Sequence, residues 1–192
     1  MIDVTTIFDL HADSIIQWKA HGVSFNQAGF LLLAQENHAF NYQLWHAEDR
    51  ARRDDKGFEF IALAKREIDT CNQARNNRME SMDNWLFEQL KPADFHAAPV
   101  HSETPGMMID RLSILSLKAY HMEEQTQRTD VDATHITTCL QKLATIQAQQ
   151  TQLLSCLQSL IEEVIHHKRT FRLYRQFKMY NDPNLNPELY NK

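Results

Sequence analysis

The chain has few of the residues that break regular structure. Its 192 residues include only 4 glycines and 5 prolines, which disfavours a turn-rich β fold. Leu, Ala, Gln, Glu, Lys and Arg are common and favour helices. Long apolar runs are missing too. The longest, Ala28 to Ala34, is far too short to cross a bilayer, so no membrane span is expected. The N-terminus, Met1-Ile-Asp-Val-Thr-Thr, lacks the basic and apolar regions of a secretory signal. Three cysteines, Cys71, Cys139 and Cys156, make no paired metal spacing. All fall in helical stretches and read as buried thiols of a cytoplasmic protein. The formal net charge is -5, so there is no global signature of nucleic-acid binding and any basic surface must be local.

What is present predicts an all-α protein: an antiparallel bundle of five or more long helices, with no sheet. Hydrophobic residues make up 43% of the chain, enough for one domain over 1–192 with a bundle at 1–167 and a tail at 168–192. Helical periodicity runs over about 4–20, 25–53, 58–90 and 105–128, and again from Asp130 or Asp132 to about 167. Ser24-Phe-Asn-Gln27 reads as a capping box for the second helix. Asp54-Asp-Lys-Gly57 marks a turn, and Pro92 stops the third helix. Thr104-Pro105 starts the fourth, with a good N-cap and a proline at the first helical position. Asp130 or Asp132 caps the fifth.

Three helices break their apolar stripes near mid-length. On the third, Asn72 and Arg75 interrupt Ile61, Ala64, Ile68, Met79, Met82, Leu86 and Leu90. On the second, Asn37, Asn41 and Glu48 interrupt Phe30, Leu33 and Leu44. On the fifth, Gln147 and Gln150 interrupt Leu140, Leu143, Leu154 and Leu157. Antiparallel pairing brings Asn37, Asn41, Asn72 and Arg75 to one level, with Glu48 near Lys65 or Ala62. Asp110, Ser113, Leu117, His121 and Glu124 share one face of the fourth helix. Buried polar groups are costly unless each is paired or meets a ligand. Three bland readings compete: a solvent-facing Asp110, amides that only fix helix register, and a plain salt bridge from Glu48 to Lys65.

His46-Ala-Glu-Asp49 and His121-Met-Glu-Glu124 each put a histidine and a carboxylate one turn apart, a spacing that metals can use. The same pairing arithmetic separates the two histidines by ten helical residues, ~15 Å, so neither a metal nor any other cofactor is expected. The tail carries Arg169, Arg172, Arg175 and Lys178 every three residues, with Phe171, Tyr174, Phe177 and Tyr180 between them. Guanidinium groups beside rings suit phosphate recognition and stacking. The alternative is that the rings dock on the bundle and the cations pair with its acids.

Four phrases carry a resemblance: Leu44-Trp-His-Ala-Glu-Asp-Arg-Ala-Arg52, Asn72-Gln-Ala-Arg-Asn76, Ser102-Glu-Thr-Pro-Gly-Met-Met-Ile-Asp-Arg-Leu-Ser-Ile-Leu115 and Gln176-Phe-Lys-Met-Tyr-Asn-Asp-Pro183. Together they resemble a bacterial family catalogued as domain of unknown function 4254. The resemblance implies a small helical protein and a loose link to envelope glycan synthesis, and it assigns no catalytic residue. Two function classes stay open. One is a small enzyme or ligand-binding protein whose mid-bundle pocket takes an anionic nucleotide or sugar phosphate. Glu48 or Asp110 would then act as acid or base. Asn41, Asn72, Arg75 and Arg111 would bind the ligand, under a tail lid carrying Arg172, Arg175 and Lys178. The other is a non-catalytic accessory protein that docks a protein partner. Nucleic acid is not expected as a partner in either.

Overall fold

The computed structural model describes residues 3–190. Five long helices make up the bundle: α1 Val4–His21, α2 Gly29–Arg50, α3 Phe58–Leu90, α4 Pro105–Thr126 and α5 Ala133–Ile165. A single turn, α6 Pro187–Tyr190, lies near the C-terminus. Helices α2 and α3 form one antiparallel hairpin and α4 and α5 another. The Arg50–Glu67 and Arg78–Glu36 ion pairs mark the antiparallel register of the first. Asp132, not Asp130, caps α5 by accepting from the His135 N–H at 2.7 Å. Among the described residues no helix is long and apolar enough to cross a membrane.

Helix α2 starts later than the capping-box reading expects. Residue Ala28 holds the N-cap position with no side-chain bond, and Gly29 stands at φ 57°. The cause is that residues 24–26 are tied elsewhere. Trp18 Nε1 donates to the Ser24 carbonyl at 2.9 Å. The Gln35 side chain accepts from the Asn26 N–H and donates to its Oδ1. These bonds hold the segment extended between α1 and α2.

A small parallel pairing, β1 Val100–His101 with β2 Thr170–Phe171, corrects the expectation of no sheet. Two residues per strand are too few to show as a periodicity in sequence. Thr170 also donates its N–H to the Pro99 carbonyl at 3.0 Å and its hydroxyl to the Ala93 carbonyl at 2.7 Å. The tail is thereby fastened to the loop between α3 and α4, and Phe171 enters the core.

The core comes in two parts. The larger draws Ile7, Phe30, Met82, Leu86, Leu112 and Leu157 from all five helices. The smaller holds Ala47, Ala51, Ala64 and Ile68 between α2 and α3. Helix α5 packs on one side only. Cys156 is exposed in the groove that α5 makes with α4, against the expectation of three buried thiols; Cys71 and Cys139 are buried, and all three are free.

The start of α4 is fixed by α3. Thr104 Oγ1 caps the helix by accepting from the Met107 N–H at 3.2 Å and donates its own proton to Asp83 Oδ2 at 2.5 Å. Gly106 N–H donates to Asp83 Oδ1 at 2.7 Å. Burial pushes the Asp83 carboxyl up to about 6, against the lowering effect of these bonds. A Cβ on Gly106 would stand 2.5 Å from Asp83 Oδ1 and 2.8 Å from the Met79 carbonyl oxygen, so the contact tolerates glycine alone. Gly106→Ala is expected to destabilise the protein by about 1–3 kcal/mol, the range for overpacking a filled interior. Urea unfolding checks this; an unchanged midpoint would refute it.

Candidate functional site

Between the two cores lies a polar layer. Residues 37 to 41 of α2, 75 to 76 of α3 and 110 to 113 of α4 meet there because each stripe puts a polar residue at the contact. Asp110 is 5% exposed, which removes the reading of a solvent-facing carboxylate. Three donors converge on its Oδ1. Asn37 Nδ2 and Asn41 Nδ2 each donate at 3.0 Å. Arg75 Nε lies 3.2 Å away as an ion pair, although its N–H is not aimed along that line. Oδ2 receives no hydrogen bond among the described residues. The carboxylate is therefore held by one oxygen and free at the other.

The layer continues inward. Asn41 Nδ2 also donates to Ser113 Oγ at 2.9 Å, and Ser113 Oγ lies 2.7 Å from His38 Nδ1. The His38 ring lies against His11, tilted by 31° with centroids 4.5 Å apart, and against Trp18, tilted by 30° at 5.2 Å. Both rings are fully buried. Burial pulls His11 down to about 3 and His38 well below its ordinary value, with the neighbouring ring adding to the effect on His38. Both are neutral near pH 7.

Above the layer a cleft of about 370 Å³ opens between α2, α3 and α4. Its lining includes Asn41, Trp45, Glu48, Arg52 and Arg75, with Leu44, Ile114 and Leu117 as an apolar wall. Glu48 takes Arg52 Nη1 at 2.6 Å, four residues on and just past the end of α2, and not Lys65. Arg52 also donates to the Glu48 carbonyl. The Nη groups of Arg75 have no hydrogen-bonded partner among the described residues, so its guanidinium keeps donors to spare.

Of the residues singled out in sequence, the structure brings Asn41, Arg75 and Asp110 into contact and sets Glu48 beside Asn41 and Arg75 in the cleft lining, which the buried Asp110 does not join. Asn72 does not join them. It stands half-buried on α3 and does not line the cleft, and the Asn37 amide reaches the Arg75 carbonyl instead. Arg111 follows Asp110 by one residue, which turns it about 100° around the helix. It pairs with Glu103 and lines a groove against α5. The tail cations are also elsewhere. Arg172 lies over the Phe95 ring at 4.1 Å. Arg175 binds Glu80 and Asn84, and Lys178 lies beside Gln73 on the outer side of α3. The tail thus docks along α3, with two of its cations engaged there and at the loop.

The pairing arithmetic also misplaced the histidines. His46 and His121 have centroids 6.2 Å apart, not ~15 Å. The 91–104 loop lets α4 begin level with Asp83, several residues before the end of α3, and that shift carries His121 toward α2. His121 Nδ1 is taken by Glu124 at 2.9 Å. Among the described residues no three His, Cys, Asp or Glu side chains stand together as metal ligands.

Sequence reasoning missed Trp45, Arg52, His38 and His11. Asn41, Trp45, Glu48 and Arg52 recur at spacings of four, three and four, a stripe that the choice of Leu44 over Trp45 concealed. The family model described as Protein of unknown function (DUF4254) matches residues 32–173. That is well over half of the chain, and the chain belongs to this family. No curated protein and no solved structure matches it. All the cleft residues named above fall within the matched segment, whereas His11, Arg175 and Lys178 lie outside it.

The buried histidines make stability depend on pH. Their folded values lie below the unfolded value near 6.5, so their contribution is complete above that pH and is lost as pH falls toward the folded values. Each neutral ring is expected to cost up to ~1.4 kcal/mol per pH unit below 6.5. Asp83, raised to about 6, runs the other way and loses its contribution as pH rises from 3.8 to about 6. The readout is therefore the difference between His11→Phe and wild type in urea midpoints at pH 7 and pH 5. The variant should show the shallower fall; parallel curves would contradict the assignment.

Proposed function

We propose that the cleft is a binding site for a small phosphate-bearing ligand, in a helical protein that is an enzyme or a ligand-binding protein. The supporting observation is Arg75: it lines the cleft with no hydrogen-bonded partner for its Nη groups among the described residues, while the buried Asp110 carboxylate behind it lies 3.2 Å from Nε. A guanidinium held from behind by a carboxylate keeps its outer donors for an anion. Arg75 and Arg52 supply the cations, and charge-assisted bonds from such groups are each worth roughly 1.5–3 kcal/mol. Glu48, beside Arg52 in the lining, is the group placed to act as acid or base; Asp110, behind Arg75, would act by holding that arginine. A cytoplasmic setting suits the three free cysteines, and a role near envelope glycan synthesis agrees with the proposal.

A second reading rests on a specific observation. Asp110 ties α2, α3 and α4 at one point, so the layer would serve register alone in a non-catalytic accessory protein with a protein partner. Thermal-shift measurements with inorganic phosphate and sugar phosphates separate the two. Wild type should be stabilised, with an effect that weakens as salt rises. Arg75→Gln and Arg52→Ala should each weaken binding about 10–100-fold, the equivalent of one lost charge-assisted bond. No response from wild type, or an equal response from folded variants, would favour the accessory reading.

A further inference from the structure

We infer that the ligand of this cleft is a monosaccharide phosphate whose sugar ring lies against Trp45; this rests on the phosphate reading above. Trp45 is not a loosely held surface ring. Its indole lies flat on His121, with centroids 4.6 Å apart and planes 9° from parallel. His121 is pinned in turn by Glu124 at 2.9 Å and is met edge-on by His46. His46 is itself backed edge-on by Tyr42 at 4.6 Å. One indole face is thus covered by a fixed stack, and Trp45 still borders the cleft. A rigid aromatic wall, set before any ligand arrives, binds a flat apolar face without ordering cost.

The rest of the lining selects what that face belongs to. Leu44, Ile114 and Leu117 extend the apolar wall. Opposite chemistry comes from Asn41, Glu48, Asp49 and the two arginines. The Asn41 Oδ1 is buried with no hydrogen-bond partner among the described residues, and Asp49 is exposed at the rim. Carboxylates and an amide oxygen are acceptors, suited to a ring rich in hydroxyl donors. A pyranose has this character: C–H groups on its face and hydroxyls around its edge. The cleft volume of about 370 Å³ lies near the lower end of the ~300–1,000 Å³ usual for small-molecule sites. That favours one sugar with one phosphate over a nucleotide sugar.

The test measures binding of inorganic phosphate, a hexose 1-phosphate, the free hexose and a nucleoside monophosphate. The proteins are the full-length wild type, Trp45→Leu and Trp45→Phe, each checked for folding by circular dichroism. The wild type should bind the hexose phosphate at least 10-fold more tightly than inorganic phosphate, with a change in tryptophan fluorescence that Trp45→Phe abolishes. Trp45→Leu keeps apolar bulk but no flat face. It should lose the 10-fold preference for the hexose phosphate over inorganic phosphate, measured as the ratio of the two affinities in the same variant, and Trp45→Phe should keep part of it. Should Trp45→Leu fail to fold, the fluorescence change and the Trp45→Phe ratio still decide. A preference that survives in Trp45→Leu, or tighter binding of the nucleoside monophosphate, would overturn the sugar assignment. If phosphate binds and the sugar adds nothing, the ring assignment fails and the phosphate site stands. If no phosphate species binds, both fail.

Discussion

The bundle is organised around one oxygen atom. Asp110 Oδ1 gathers two amides from α2 and a guanidinium from α3 onto a helix that would otherwise contact both through hydrocarbon. A charged group so deeply placed is costly unless its partners are in position. The requirement therefore reaches outward. Asn41 must serve both Asp110 and Ser113, Ser113 must meet His38, and His38 must remain neutral to lie against His11. The two apolar cores on either side of this layer keep water from relieving any of these demands. A cleft opens where the layer reaches the surface, and so its floor is already rigid.

The helices were readable because each is long and its punctuation is ordinary. Thr104-Pro105 starts α4, Asp132 caps α5 and Pro92 follows α3, all by local rules. The start of α2 was misread for an equally physical reason. Ser24 and Gln27 have the chemistry of a cap, but Trp18 and Gln35 bind that segment from a distance. The strand pair at 100–101 and 170–171 was invisible because it depends on a contact between segments 70 residues apart.

The polar layer was legible as a set of interruptions, and Asn41, Glu48 and Arg75 were found that way, whereas Asp110 was placed by the face of the fourth helix that it shares with Ser113. Asn72 obeyed the same rule and stands apart, since spacing gives a face but not the crossing point of two helices. Arg111 shows the complementary failure: adjacency in sequence is separation on a helix. Trp45, His38 and His11 were passed over because they lie beside the stripes that the apolar spacing picks out. What distinguishes them is what they touch, and periodicity does not report that. Stability and site chemistry meet in His38, whose ring is a core residue on one side and a partner of Ser113 on the other.

The fastening of the tail has a consequence for the order in which the protein is made. Phe171 belongs to the main core, and Thr170 satisfies carbonyl groups of the loop at 93 and 99. Neither is available until all five long helices have been made and have left the ribosome ahead of it. Since chains emerge from the N-terminus and begin to organise as they do, α1 to α4 must wait with an unfilled slot beside α3 and a loop whose carbonyls face only solvent. The hairpin of α2 and α3, with its own small core, has local contacts enough to form early. The segment around 170 acts as a late closing piece, and the nascent protein exposes apolar surface near Phe87 until it arrives.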